Sequence, residues 1–136
     1  ETALNEPTLM SAEGKHQEAE ALALRELPRA EKAFGADHLR VGMLLINLGS
    51  YQRKLGKHQE GLRTFERALS IVEKAFGEDH LYTAYALAGV GEELLALHEP
   101  AKARPYLQRA VASPATPDMD PRDLAELRAA LATSHR

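Results

Sequence analysis

Glu31-Lys32-Ala33-Phe34-Gly35 returns unchanged as Glu73-Lys74-Ala75-Phe76-Gly77, 42 residues further along the chain. Gly14-Lys15-His16-Gln17-Glu18 and Gly56-Lys57-His58-Gln59-Glu60 stand at the same displacement, as do Asp37-His38-Leu39 and Asp79-His80-Leu81. From Gly14 to Leu81 no insertion or deletion is needed to superpose the copies. A constant period over this distance makes each copy one structural unit stacked on the next. The expected architecture is therefore a repeat solenoid, not a catalytic domain.

The unit is helical. Leu62, Phe65, Leu69, Val72 and Phe76 recur at the three- and four-residue spacing that lines one side of a helix from His58 to Phe76. Gly77 follows as a residue able to take the left-handed conformation at a helix C-terminus, and Asp79 as the expected side-chain cap of the next helix. Gly35 and Asp37 take these roles one copy earlier. A second helical segment between Asp37 and Gly56 carries Val41, Leu44, Leu45, Leu48 and Leu55. In the following copy a helix from His80 to Leu97 carries Leu81, Ala84, Leu87, Val90 and Leu94. Its partner from Glu99 to Ala112 carries Ala103, Leu107, Ala110 and Val111, with Pro100 in a first turn that does not need its amide. Short connections make consecutive helices antiparallel, so each period is a helical hairpin.

Both ends depart from the period. Asn5-Glu6-Pro7 interrupts the segment Thr2 to Ala12, where the first helix of the earliest copy is expected, and Pro28 predicts a bend in the helix from Lys15 to Phe34 without a change of topology. Ser113-Pro114-Ala115-Thr116-Pro117-Asp118 reads as a turn-rich linker. Asp120 and Pro121 then start a helix with Leu124, Leu127 and Leu131 on one face, expected to cap the stack's last apolar surface. The expected organisation is a single domain over 1–136: a partial repeat (1–35), two further repeats (36–77 and 78–112), a linker (113–120) and a capping helix (121–136).

Composition excludes several function classes. The 136 residues include no Cys, which removes disulfide scaffolds, thiol nucleophiles and thiolate metal sites and fits a reducing cytoplasm. The formal charge of −3 and the scatter of Lys and Arg over every helix lack the basic footprint of a nucleic-acid binder. No run of eighteen apolar residues suggests a membrane span. Opening on Glu-Thr, the chain reads as a piece of a longer or processed protein, and its Ala- and Arg-rich repetition suggests a bacterial one.

With the hairpins in place, the chain resembles tetratricopeptide repeats, in the 42-residue form of kinesin light chains. The residues that carry this are Leu48 and Gly49, the Gly56-Lys57 turn, Phe65, Ala68 and Leu69, the segment from Glu73 to His80, and Val90, Gly91, Ala103, Leu107 and Ala110 in the next copy. The resemblance implies an all-α fold, a right-handed α–α superhelix of antiparallel hairpins whose members bind peptides, proteins and one another. The sequence departs from the family where Leu39 and Leu81 replace Pro and Gly61 replaces Ala. It also departs where Gly89 interrupts a ladder of groove Asn residues begun by Asn47.

In such a stack the first helix of each hairpin lines the concave side. Met43, Asn47, Ser50, Arg53 and Lys54 fall outside the packing stripe of their helix, and Tyr85, Gly89, Glu92 and Ala96 match them one repeat later, with Glu93 at the edge. These residues form the expected peptide-binding groove, basic on one rung and acidic on the next. Arg53 and Lys54 either hold a charged peptide segment or pair with Glu92 and Glu93 as exposed ion pairs, typically about 0–1 kcal/mol each. No metal or cofactor is expected: His38 and His80 each open a helix, and no His pair stands at a ligating spacing. No catalytic residues are expected either, since Glu92 and Glu93 point about 100° apart on a helix and no Gly-rich loop or nucleophile elbow follows a strand. The expected function is a protein-interaction scaffold, not an enzyme. The alternatives are self-association through the uncapped N-terminal end, where Leu22, Leu24 and Leu27 lie, and an adaptor region of a multidomain enzyme such as a protein kinase.

Overall fold

The structure, a computed structural model, describes residues 12–136. The expected segment Thr2 to Ala12 lies outside these residues except for Ala12. Six α-helices follow one another: α1 (Ala12–Phe34), α2 (Leu39–Lys54), α3 (His58–Phe76), α4 (Leu81–Ala96), α5 (Pro100–Ala112) and α6 (Pro121–Ser134). There is no strand among the described residues. Each helix packs on the next, and α2 also touches α4, and α4 touches α6. The result is an all-α repeat solenoid with α2 and α4 forming an inner row.

Pro28 sits inside α1, and the helix nevertheless continues to Phe34. Pro28 and Leu24, whose carbonyl loses its helical donor, are both exposed, so water can serve that carbonyl.

The repeated Glu-Lys-Ala-Phe-Gly segment builds the joints. Gly35 and Gly77 take φ of 100° and 86°, a conformation that a side chain would strain. Phe34 stacks on His38 and Phe76 on His80, with ring centroids 5.0 and 4.0 Å apart. The histidines, not the expected Asp37 and Asp79, cap the next helices: Nδ1 of His38 accepts from the Arg40 amide and that of His80 from the Tyr82 amide, each at 3.1 Å. Stacking on the Phe ring four residues earlier holds each imidazole at the helix start, in place of the expected Asp. The Glu of the motif reaches the next outer helix. Arg67 pairs with Glu31 at 2.8 Å and Arg109 with Glu73 at 2.9 Å, the same bridge one period apart.

Two apolar clusters fill the stack. Ala23, Val41, Leu45, Leu48, Ala68 and Ile71 pack between α1, α2 and α3. Phe65, Leu87, Val90, Leu94, Leu107, Met119 and Leu127 belong to a second cluster spanning α3 to α6. Leu55, expected in the core, lies beyond the end of α2 and is only half-buried.

Phe65 has the most consequential position. Its ring enters from α3 between Gly49 of α2 and Gly89 of α4, where an added Cβ would come within 2.9 and 2.3 Å of it respectively. Gly89→Ala is expected to destabilise the fold by about 1–3 kcal/mol through overpacking. Phe65→Leu in the same chain should recover part of that loss, a non-additivity measurable by urea unfolding of the single and double variants. Additive effects would place the strain elsewhere.

Candidate functional site

The inner row and the tail enclose a cavity of about 340 Å³, within the size range of small-ligand and side-chain pockets. α2 contributes Met43, Ile46, Asn47, Ser50 and Arg53, and α4 contributes Tyr82, Tyr85, Ala88, Gly89 and Glu92. Phe65 lies against it from α3, and Met119, Asp123 and Glu126 close it from the C-terminal segment. Helical spacing explains the inner-row set, since positions 43, 47, 50 and 53 and positions 82, 85, 89 and 92 step by three or four along one face.

Of the residues the sequence proposes, Met43, Asn47, Ser50, Arg53, Tyr85, Gly89 and Glu92 come together here and Lys54 and Ala96 do not. Lys54 is one residue past that stripe and is exposed. It points toward α1, where burial first, and Lys54 and Lys15 after it, hold the His16 imidazole below its ordinary pKa. Glu93 is not at the groove edge. Its side chain is fully buried between α3 and α4, with Oε1 2.7 Å from His58 Nδ1 and Oε2 lacking a hydrogen-bond partner. Gly61 makes room for this carboxylate: an added Cβ would lie 1.8 Å from Oε2. Burial, the dominant influence, raises the pKa of Glu93, while His58 acts to lower it.

The tail residues had no periodic signal to announce them. The segment expected as a linker is packed: Thr116 and Met119 are buried, and the Thr116 hydroxyl donates to the Ala110 carbonyl at the end of α5. The Asp120 amide donates to the Tyr85 hydroxyl at 2.9 Å, and Asp120 Oδ1 caps α6 by accepting from the Arg122 amide at 2.8 Å. Leu127 then buries completely, as a capping helix requires, and Arg104 donates to the Ser134 carbonyl. These contacts bring Asp123 and Glu126 over the concave side. Tyr82, which the sequence reading omitted, lies one turn before Tyr85 on the same stripe and could have been found from that spacing.

The tetratricopeptide repeat family model matches the chain over residues 8–60 and again over 41–113. The chain belongs to the tetratricopeptide repeat family. Tetratricopeptide repeats generally mediate protein–protein interactions. The comparison with curated proteins finds no match. Among the described residues, no helix is long and apolar enough to cross a membrane.

In this tetratricopeptide stack one guanidinium holds two carboxylates. Arg53 Nε lies 3.4 Å from Glu92, and its terminal nitrogen lies 3.0 Å from Glu126 of α6. Burial is the main cause that lifts the Glu92 pKa from an ordinary 4.5 to about 7, against Arg53 and helped by Glu126, Asp123 and Glu93. The folded chain thus retains a proton that the unfolded chain releases between pH 4.5 and 7, so this residue's contribution to stability falls as pH rises through that window. Glu92→Gln is expected to lose about 1–3 kcal/mol less stability than the parent across that interval. Urea unfolding at both ends of the window measures it, and equal losses would contradict the assignment.

Proposed function

We propose that the chain is a scaffold module that seats an extended segment of a partner protein on its concave side, as part of a larger protein and in a cytoplasmic setting. One observation carries this reading: a walled cavity lies where inner-row side chains from two successive repeats meet the tail, with apolar walls and a few convergent polar groups. Asn47 and Ser50 offer hydrogen bonds to a peptide backbone, and Met43, Tyr82 and Tyr85 offer contact area. Gly89 removes the second rung of an Asn ladder, so the backbone would be held by Asn47 on one rung only. Selection of phage-displayed peptides on the immobilised chain should yield binders that lose about tenfold or more in affinity to Asn47→Ala and to Tyr85→Ala, a loss of about 1.4 kcal/mol. Binders indifferent to both substitutions would move the site off the concave face.

A second reading, self-association, rests on α1. Leu22, Leu24 and Phe34 are 50, 47 and 46% exposed, the largest exposed apolar side chains among the described residues. Leu27, which sequence reading grouped with them, packs inward beside Ala23 and Val41. A second copy packed on α1 would bury part of this apolar surface. Sedimentation equilibrium is then expected to show a dimer that Leu22→Glu with Leu24→Glu converts to a monomer. A monomeric parent at high concentration would remove this reading.

A further inference from the structure

We infer that the concave cavity selects a cationic side chain, lysine or arginine, in the partner segment; this rests on the cavity being the peptide seat. Glu92, Asp123 and Glu126 all line it, against a single cationic side chain, Arg53. Arg53 is already engaged with Glu92 and Glu126, and Asp123 has no ion-pair partner among the described residues. The enclosed space therefore carries more negative than positive charge. An incoming acidic group would meet that excess and find its only guanidinium taken, whereas an incoming cation relieves the repulsion among the carboxylates.

The walls match the rest of such a side chain. Met43, Ile46 and Met119 offer apolar surface to an aliphatic stem. Tyr82 and Tyr85 add rings whose faces attract a cation, and Asp123 bears on the Tyr85 hydroxyl at the same end. A long apolar stem ending in a charge that hydrogen-bonds to carboxylates describes lysine and arginine and no other common side chains. This reverses the role that sequence spacing gives Arg53. It is a structural partner of the tail, and the carboxylates around it do the recognising.

The test uses the whole chain, labelled with nitrogen-15, and acetylated, amidated pentapeptides Ala-Ala-Xaa-Ala-Ala with Xaa lysine, arginine, norleucine or glutamate. The lysine and arginine peptides should shift the amide resonances of Asn47, Tyr85, Gly89 and Asp123 with a Kd about tenfold or more below that of the norleucine peptide. Asp123→Asn and Glu126→Gln should each narrow that gap, with circular dichroism verifying the fold. Equal affinity for lysine and norleucine would overturn the selection by charge and leave the seat intact. Preference for the glutamate peptide would overturn it in favour of Arg53 as the anchor. If no peptide shifts these resonances, the seat itself fails, and the inference with it.

Discussion

The Phe65 ring, lying between Gly49 and Gly89, ties an outer helix to two inner ones at a single point. It is 3% exposed and belongs to the larger apolar cluster, yet it also lies against the concave cavity. The same ring thus fills the core and walls the cavity. Because interiors are close-packed, the two glycines are consequences of the ring's size and not independent choices. The substitution that breaks an Asn ladder at position 89 is explained from this side: the space an Asn would need is filled by Phe65.

Three of the five residues of the repeated pentapeptide have a task at a joint. Glu bridges to the next outer helix, Phe stacks on the histidine that caps the next inner helix, and Gly supplies the positive φ between them. None of these contacts is large alone, an exposed ion pair being about 0–1 kcal/mol. Their repetition sets the same geometry at both joints, which is how a quasi-one-dimensional stack keeps its pitch.

The helices and hairpin pairing were legible because Leu62, Phe65, Leu69 and Val72 repeat at helical spacing and because the period of 42 aligns the turns. Most of the inner-row side of the cavity followed from the same arithmetic, which overreached at Lys54 and Ala96 and passed over Ile46, Tyr82 and Ala88. What sequence spacing missed depends on contacts between distant segments. The His caps are an exception: His38 and His80 each replace the neighbouring Asp while stacked on a Phe only four residues earlier. Glu93 leaves the surface only because Gly61, 32 residues earlier, vacates room for its carboxylate. Met119, Asp123 and Glu126 follow a Pro-rich stretch with no period, so nothing in their spacing relates them to positions 53 or 92. Their placement is decided by tertiary bonds from Tyr85 and Ala110.

That closure by the tail assigns two properties of the hollow to two sets of residues. The repeats fix the shape of the hollow, while two of the acidic groups facing it, Asp123 and Glu126, sit on a helix outside the 42-residue period. Exchange of the terminal helix alone could thus invert the polarity of the hollow without disturbing any joint of the stack. The charge of the hollow is therefore a property that can drift, or be engineered, independently of the scaffold.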